Sequence, residues 1–154
     1  MWQQRPESHG WVKIRSNDPL DKPIIQPNYL SHQEDQKVCV AGIRLARKLM
    51  HSTALSKYLD HEVYPGKNVG NNYEELLEIA RERGLTCYHQ MGTCKMGQKN
   101  DNEAVVDNKL KVHGIDNLRI VDASIMPTML SANLNAGAMM IGEKGSDMIL
   151  KEKF

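Results

Sequence analysis

The segment from Ser31 to Met50 constrains the chain most, because Val38, Ala41, Leu45 and Leu49 recur there at helical spacing. Such a helix carries one apolar stripe, and that stripe has to be laid on another element. Ser31 with Glu34 three residues later matches a capping box and predicts where the helix starts. Lys37, Arg44, Arg47 and Lys48 fall on the other face and read as solvated charge rather than a nucleic-acid patch.

Upstream, Gly10 to Arg15 alternates, with Val12 and Ile14 on one side and Trp11, Lys13 and Arg15 on the other, which predicts a half-buried strand. Pro19 and Pro23 around an Asn-Asp cluster force a turn. Ile24, Ile25 and Tyr29 then predict a second, Pro-interrupted edge strand. Residues 61–72 are loop by their Pro, Gly and Asn content. A helix is predicted over Tyr73 to Arg83, entered from Asn72 as N-cap and stopped at Gly84. Further on, Leu118 to Val121 reads as a compact apolar strand ending in Asp122. Leu134 to Leu150 reads as a small-residue-rich helix with Lys151 and Lys153 near its negative C-terminal end. The class is therefore α+β.

With 20 Lys and Arg against 19 Asp and Glu, the net charge of +1 argues against an electrostatic nucleic-acid or membrane-surface binder. No apolar run approaches the roughly 20 residues that span a bilayer, and residues 1–15 hold no hydrophobic signal core. A cytoplasmic location is thus the default expectation. Three cysteines, Cys39, Cys87 and Cys94, give little support to a disulfide framework. Cys87, His89 and Cys94 are metal-ligand types, but their C-x-H-x4-C spacing fits no standard half-site and no fourth ligand is evident, so no metal is expected. The runs Gly92 to Lys99 and Gly137 to Lys144 approach a phosphate-binding loop, yet each inserts a residue before the Lys and lacks the Ser or Thr. A G-x-G-x-x-G dinucleotide fingerprint is absent from the sequence.

Of six histidines, His9, His32, His51 and His61 sit in polar or loop contexts. His89 stands apart, between the helix stop at Gly84 and a Gly-rich turn, where a side chain is presented on a rigid corner. Asn133 and Asn135 flank Leu134 at a helix start, where two amides serve equally well as caps or as something more.

From Tyr88 on, the chain resembles the C-terminal part of the glucose-methanol-choline (GMC) family of FAD-dependent oxidoreductases, with choline-dehydrogenase-like enzymes nearest in appearance. The residues that carry the resemblance are Tyr88 through Gly97, Ala104 through Asp107, Val112-His113-Gly114, Leu118 through Pro127, Asn133 through Ala136 and Ile141 through Lys144. Arg15 through Asp21, Pro27 through Leu30 and Gly42 through Arg47 extend it over nearly the whole chain, in order. Two departures stand out. The chain begins after the point where the family's Gly-rich FAD fingerprint would lie, and Gly137 stands where the family commonly has Pro.

The resemblance implies a substrate-domain-like sheet with packed helices over residues 1–113, and a strand and helix over 114–154 that complete an FAD-binding domain. It implies that His89 is the catalytic histidine and Asn133 its partner, in the oxidation of an alcohol CH–OH to a carbonyl. Asp122, Ala123, Asn133, Leu134 and Asn135 would contact FAD. The expected partners are a small alcohol substrate and an N-terminal FAD-binding half, either missing or supplied in trans. The rival expectation is a stand-alone, non-enzymatic domain that binds a ligand or a partner chain.

Overall fold

The computed structural model describes residues 3–152. The chain divides into two units, Met1–Thr86 and Cys87–Phe154.

In the first unit, β1 (Trp11–Lys13) and β2 (Ile24–Gln26) form a two-stranded antiparallel sheet with Val12 opposite Ile25. The turn between them is closed by Asp18, whose carboxylate accepts from the Leu20 amide at 2.9 Å. Both strands exist where alternation places them. β1, however, is exposed on both faces rather than half-buried, because a two-stranded sheet offers it no second layer.

Helix α1 (Gln33–Met50) is capped one residue later than the capping box implies. His32 is the N-cap, and its Nδ1 accepts from the Glu34 amide at 3.3 Å. Ser31 is occupied in a turn back to Asn28, and the Glu34 carboxylate pairs with Lys37 at 2.7 Å instead of reaching back. The packed face differs too. Val40 and Ile43 meet Leu76 and Leu77 of α2 (Tyr73–Arg83), while Val38, Leu45 and Leu49 stay 43%, 47% and 52% exposed.

Arg47 is not solvated charge. Its guanidinium forks onto Glu62 at 2.8 and 3.0 Å and donates to the carbonyls of Val69 and Gly70 and to Asn71 Oδ1. Arg44 is not simply solvated either, since its guanidinium donates to the Asn71 carbonyl, and together the two arginines gather the 62–71 loop onto α1. Asp35 does the same for the chain entering the unit: buried in the first turn of α1, it accepts from the Glu7 and Ser8 amides at 2.9 and 2.7 Å and from the Ser8 hydroxyl. Burial alone would raise the Asp35 carboxyl, but these hydrogen bonds outweigh it and hold the group below its usual range. α2 runs between the expected limits, with Asn72 Oδ1 accepting from the Glu74 amide at 2.9 Å and the Gly84 amide closing on the Ala80 carbonyl.

The second unit is built on irregular backbone pairing around one long helix, α3 (Asn135–Lys151). Its core is Val106, Leu110, Ile125, Met126, Leu134 and Ile141. The expected strand over Leu118 to Val121 does not form; Arg119 alone bridges Lys111. Left-handed backbone at Leu110, Gly114 and Asn117 turns the neighbouring chain away before a ladder can extend. Lys151 lies in the last turn of α3, paired with Asp147 at 2.7 Å, and Lys153 lies outside the described residues. Just past α3, Glu152 pairs with Arg119 at 2.6 Å and Lys111 at 3.0 Å, which brings its carboxyl down to about 2. Among the described residues no helix is long and apolar enough to cross a membrane.

Candidate active site

His89 lies on a loop whose path is set by backbone. Tyr88 at φ 59 and Gly92 at φ 81 are both left-handed, so the chain reverses on either side of His89. From there, the amides of Gly92, Cys94 and Met96 donate to the carbonyls of Ala123, Ser124 and Ile125 at 3.4, 2.9 and 2.8 Å. These three acceptors belong to a single 3-10 turn, Ala123–Ile125. Asp122 caps that turn by accepting from the Ser124 amide at 2.7 Å. The His89 loop is therefore joined to the Ala123–Ile125 turn by a run of three main-chain bonds.

Leu134 is buried in the core and anchors the amino end of α3, which begins without a side-chain cap. Its burial aims the first turn of α3 toward the same place. An open recess of ≈ 270 Å³ results, with Tyr88, His89 and Gln90 on one side and Ala123, Leu134, Asn135 and Ala138 on the other. His89 is half-buried there. The lining holds no carboxylate, Lys or Arg, so His89 is the one imidazole among its residues. A hollow of ≈ 250 Å³ in the first unit is chemically different. Its carboxylate, Glu62, is taken by Arg47, and its His61 pairs with the exposed Asp60 at 2.8 Å.

Of the residues singled out from sequence, His89, Ala123, Leu134 and Asn135 come together in the recess. Asp122 stands behind it as the cap of the turn. Asn133 is exposed, one residue ahead of Leu134, and is not part of the lining. Neither asparagine caps α3 through its side chain, so the capping alternative fails for both. Tyr88, Gln90 and Ala138 were not picked out. Ala138 carries a readable signal, four residues after Leu134 and so on the same helix face; Tyr88 and Gln90 are marked only as neighbours of His89. Gly137, where the family commonly has Pro, sits under Met126 and Leu130, whose side-chain ends lie 2.8 and 2.9 Å from where a Cβ would be. Among the described residues no three His, Cys, Asp or Glu are grouped to hold a metal, and Cys39, Cys87 and Cys94 are free thiols.

The GMC oxidoreductase family model matches residues 6–142. The chain belongs to the GMC oxidoreductase family. Among curated GMC relatives, an oxygen-dependent choline dehydrogenase of Escherichia coli O17:K52:H18 is 46% identical over 145 residues, covering 94% of this chain and 26% of that protein. A mitochondrial choline dehydrogenase of Homo sapiens is 45% identical over 148 residues, covering 94% and 24%. The crystal structure of pyridoxine 4-oxidase from Mesorbium loti superposes with a TM-score of 0.87 at 30% identity, covering 98% of this chain and 29% of that one. The chain spans about a quarter of the length of the curated relatives it matches.

Proposed function

We propose that this chain is the C-terminal portion of an FAD-dependent GMC enzyme that oxidises the CH–OH group of a small alcohol to a carbonyl. The observation that carries the reading is the placement of His89 in one recess with Ala123 and the open amino end of α3. In this reading, residues 1–113 belong to the substrate-facing part and 114–154 complete the FAD-binding domain, with an N-terminal half as the partner.

The residues present fit a flavin. The uncapped first turn of α3 offers amide donors and a positive dipole end beside Asn135, and Ala123 and Ala138 keep the wall low. Asp122, Ala123, Leu134 and Asn135 would hold the cofactor, with Asn133 at their margin. When bound, FAD supplies the acceptor for the hydride that leaves the carbinol carbon. His89 takes the hydroxyl proton at a ring nitrogen, since imidazole has the proton affinity to do so near neutral pH. Asn133, exposed at the margin outside the lining, would reach the same oxygen and orient it without competing for the proton. The α3 dipole favours the negative charge that builds up on the cofactor side.

The test is flavin reduction by an alcohol in the complete enzyme, with choline tried first because relatives carry that name. His89→Ala is expected to slow reduction by about 10²–10⁴-fold, the usual contribution of a positioned base. Wild-type rates in that variant would remove His89 from the mechanism.

A further inference from the structure

Three backbone hydrogen bonds seat the His89 loop on the turn that would face the cofactor, and the loop enters them through a left-handed residue, Gly92. The amides at 92, 94 and 96 can meet the carbonyls at 123, 124 and 125 only if the chain leaving His89 reverses at Gly92, which it does at φ 81. An L-residue with a Cβ is strained in that backbone region. The space is restricted as well: a Cβ on Gly92 would lie 3.3 Å from the carbonyl oxygen of Met126, whose side chain is buried in the core. Both constraints act at a residue that touches neither the recess nor any reacting group.

We propose that Gly92 is a positioning residue for His89: its left-handed backbone and bare Cα set the register between the His89 loop and the Ala123–Ile125 turn. The catalytic meaning of that register rests on His89 being the base proposed above. The register itself is a property of this chain.

Gly114 makes the comparison clean. It has the same left-handed backbone, at φ 78, but nothing lies within 4 Å of where its Cβ would be. Gly114→Ala therefore brings backbone strain without the contact and without the seating bonds.

The experiment is NMR on the 154-residue chain, following the ring resonances of His89, assigned by their loss in His89→Gln, and amide exchange at Cys94 and Met96. Gly92→Ala is expected to shift the His89 ring resonances and to speed exchange at Cys94 and Met96 roughly tenfold. Gly114→Ala should lower global stability while leaving the His89 resonances in place. Gly92→Asn should fall between wild type and Gly92→Ala, because Asn tolerates left-handed backbone. Unmoved His89 resonances in Gly92→Ala, or equal shifts in Gly114→Ala, would overturn the proposal. So would unfolding of both Gly92 variants alongside a folded Gly114→Ala, which would mark Gly92 as structural only. Failure of the base assignment shows elsewhere, as flavin reduction surviving in His89→Ala, and leaves the resonance result standing.

Discussion

The two units solve the same problem by different means. The first buries few side chains, Val40, Leu76 and Leu77, between two regular helices, and ties its loops to α1 with charged side chains at Asp35 and Arg47. Among the described residues, the second packs Val106, Leu110, Ile125 and Met126 against Leu134 at the head of α3 and Ile141 within it, and joins its irregular segments by main-chain bonds. The first is therefore specified largely by side-chain identity at a few positions, the second by backbone geometry. The candidate site lies in the second, where main-chain bonds from Gly92, Cys94 and Met96 to the Ala123–Ile125 turn join the His89 loop to its seat.

The comparison breaks most readily at the thin core. Leu76→Ala, at a fully buried position, is expected to cost about 2–5 kcal/mol in urea unfolding. Val106→Ala, equally buried but smaller, should cost roughly 1.5–3 kcal/mol. A smaller loss for Leu76 than for Val106 would mean that the first unit does not depend on its few buried contacts. Next in size is Arg47→Ala, expected to cost about 1.5–3 kcal/mol. The Arg47 and Glu62 side chains are only 15% and 23% exposed, so removing one leaves the other short of partners. Arg47→Lys should recover little, since a single ammonium cannot serve Glu62, Val69, Gly70 and Asn71 together. Full recovery by Lys would reduce the fork to simple charge.

The smallest effects separate the units by acid and salt. Both Asp35 and Glu152 are depressed, so each stabilises the fold above its unfolded pKa, and that stability is lost as pH falls through the folded value. Lowering pH from about 5 is expected to raise amide exchange at Glu7 and Ser8 as the Asp35 clamp protonates. Glu152 should titrate near 2 by carboxyl NMR and move toward its ordinary value in strong salt, because its partners Arg119 and Lys111 act across partly exposed surface. Asp35, buried and held by amides, should be far less sensitive to salt. Equal salt sensitivity at the two carboxylates would erase the contrast.

What could be read from sequence follows the same division. The limits of α2 were visible because Asn72 and Gly84 act locally. In α1 the period was readable but the covered face was not. Val38, Ala41, Leu45 and Leu49 fit helical spacing as well as Val40 and Ile43 do, and only contact with Leu76 and Leu77 separates the two sets. Arg44 and Arg47 looked like their neighbour Lys48, since nothing local announces a loop that returns to bind both of them. The strand expected at Leu118 to Val121 failed for a related reason: apolar composition says what is buried, while the turns at Leu110, Gly114 and Asn117 decide what can pair. His89 stood out locally, between the helix stop at Gly84 and a Gly-rich turn, while the role proposed for it came from resemblance to a family. The seating bonds at 92–96 leave no mark in side-chain pattern beyond a glycine.

The recess is lined entirely from within Tyr88–Ala138, inside a single compact unit that starts at Cys87. Such an arrangement can be inherited as a cassette. A recombination crossover at the Thr86–Cys87 junction would carry His89, Ala123 and Asn135 into a new sequence background together, with the bonds that register them intact. The first unit could then diverge quickly among descendants while the recess was copied whole.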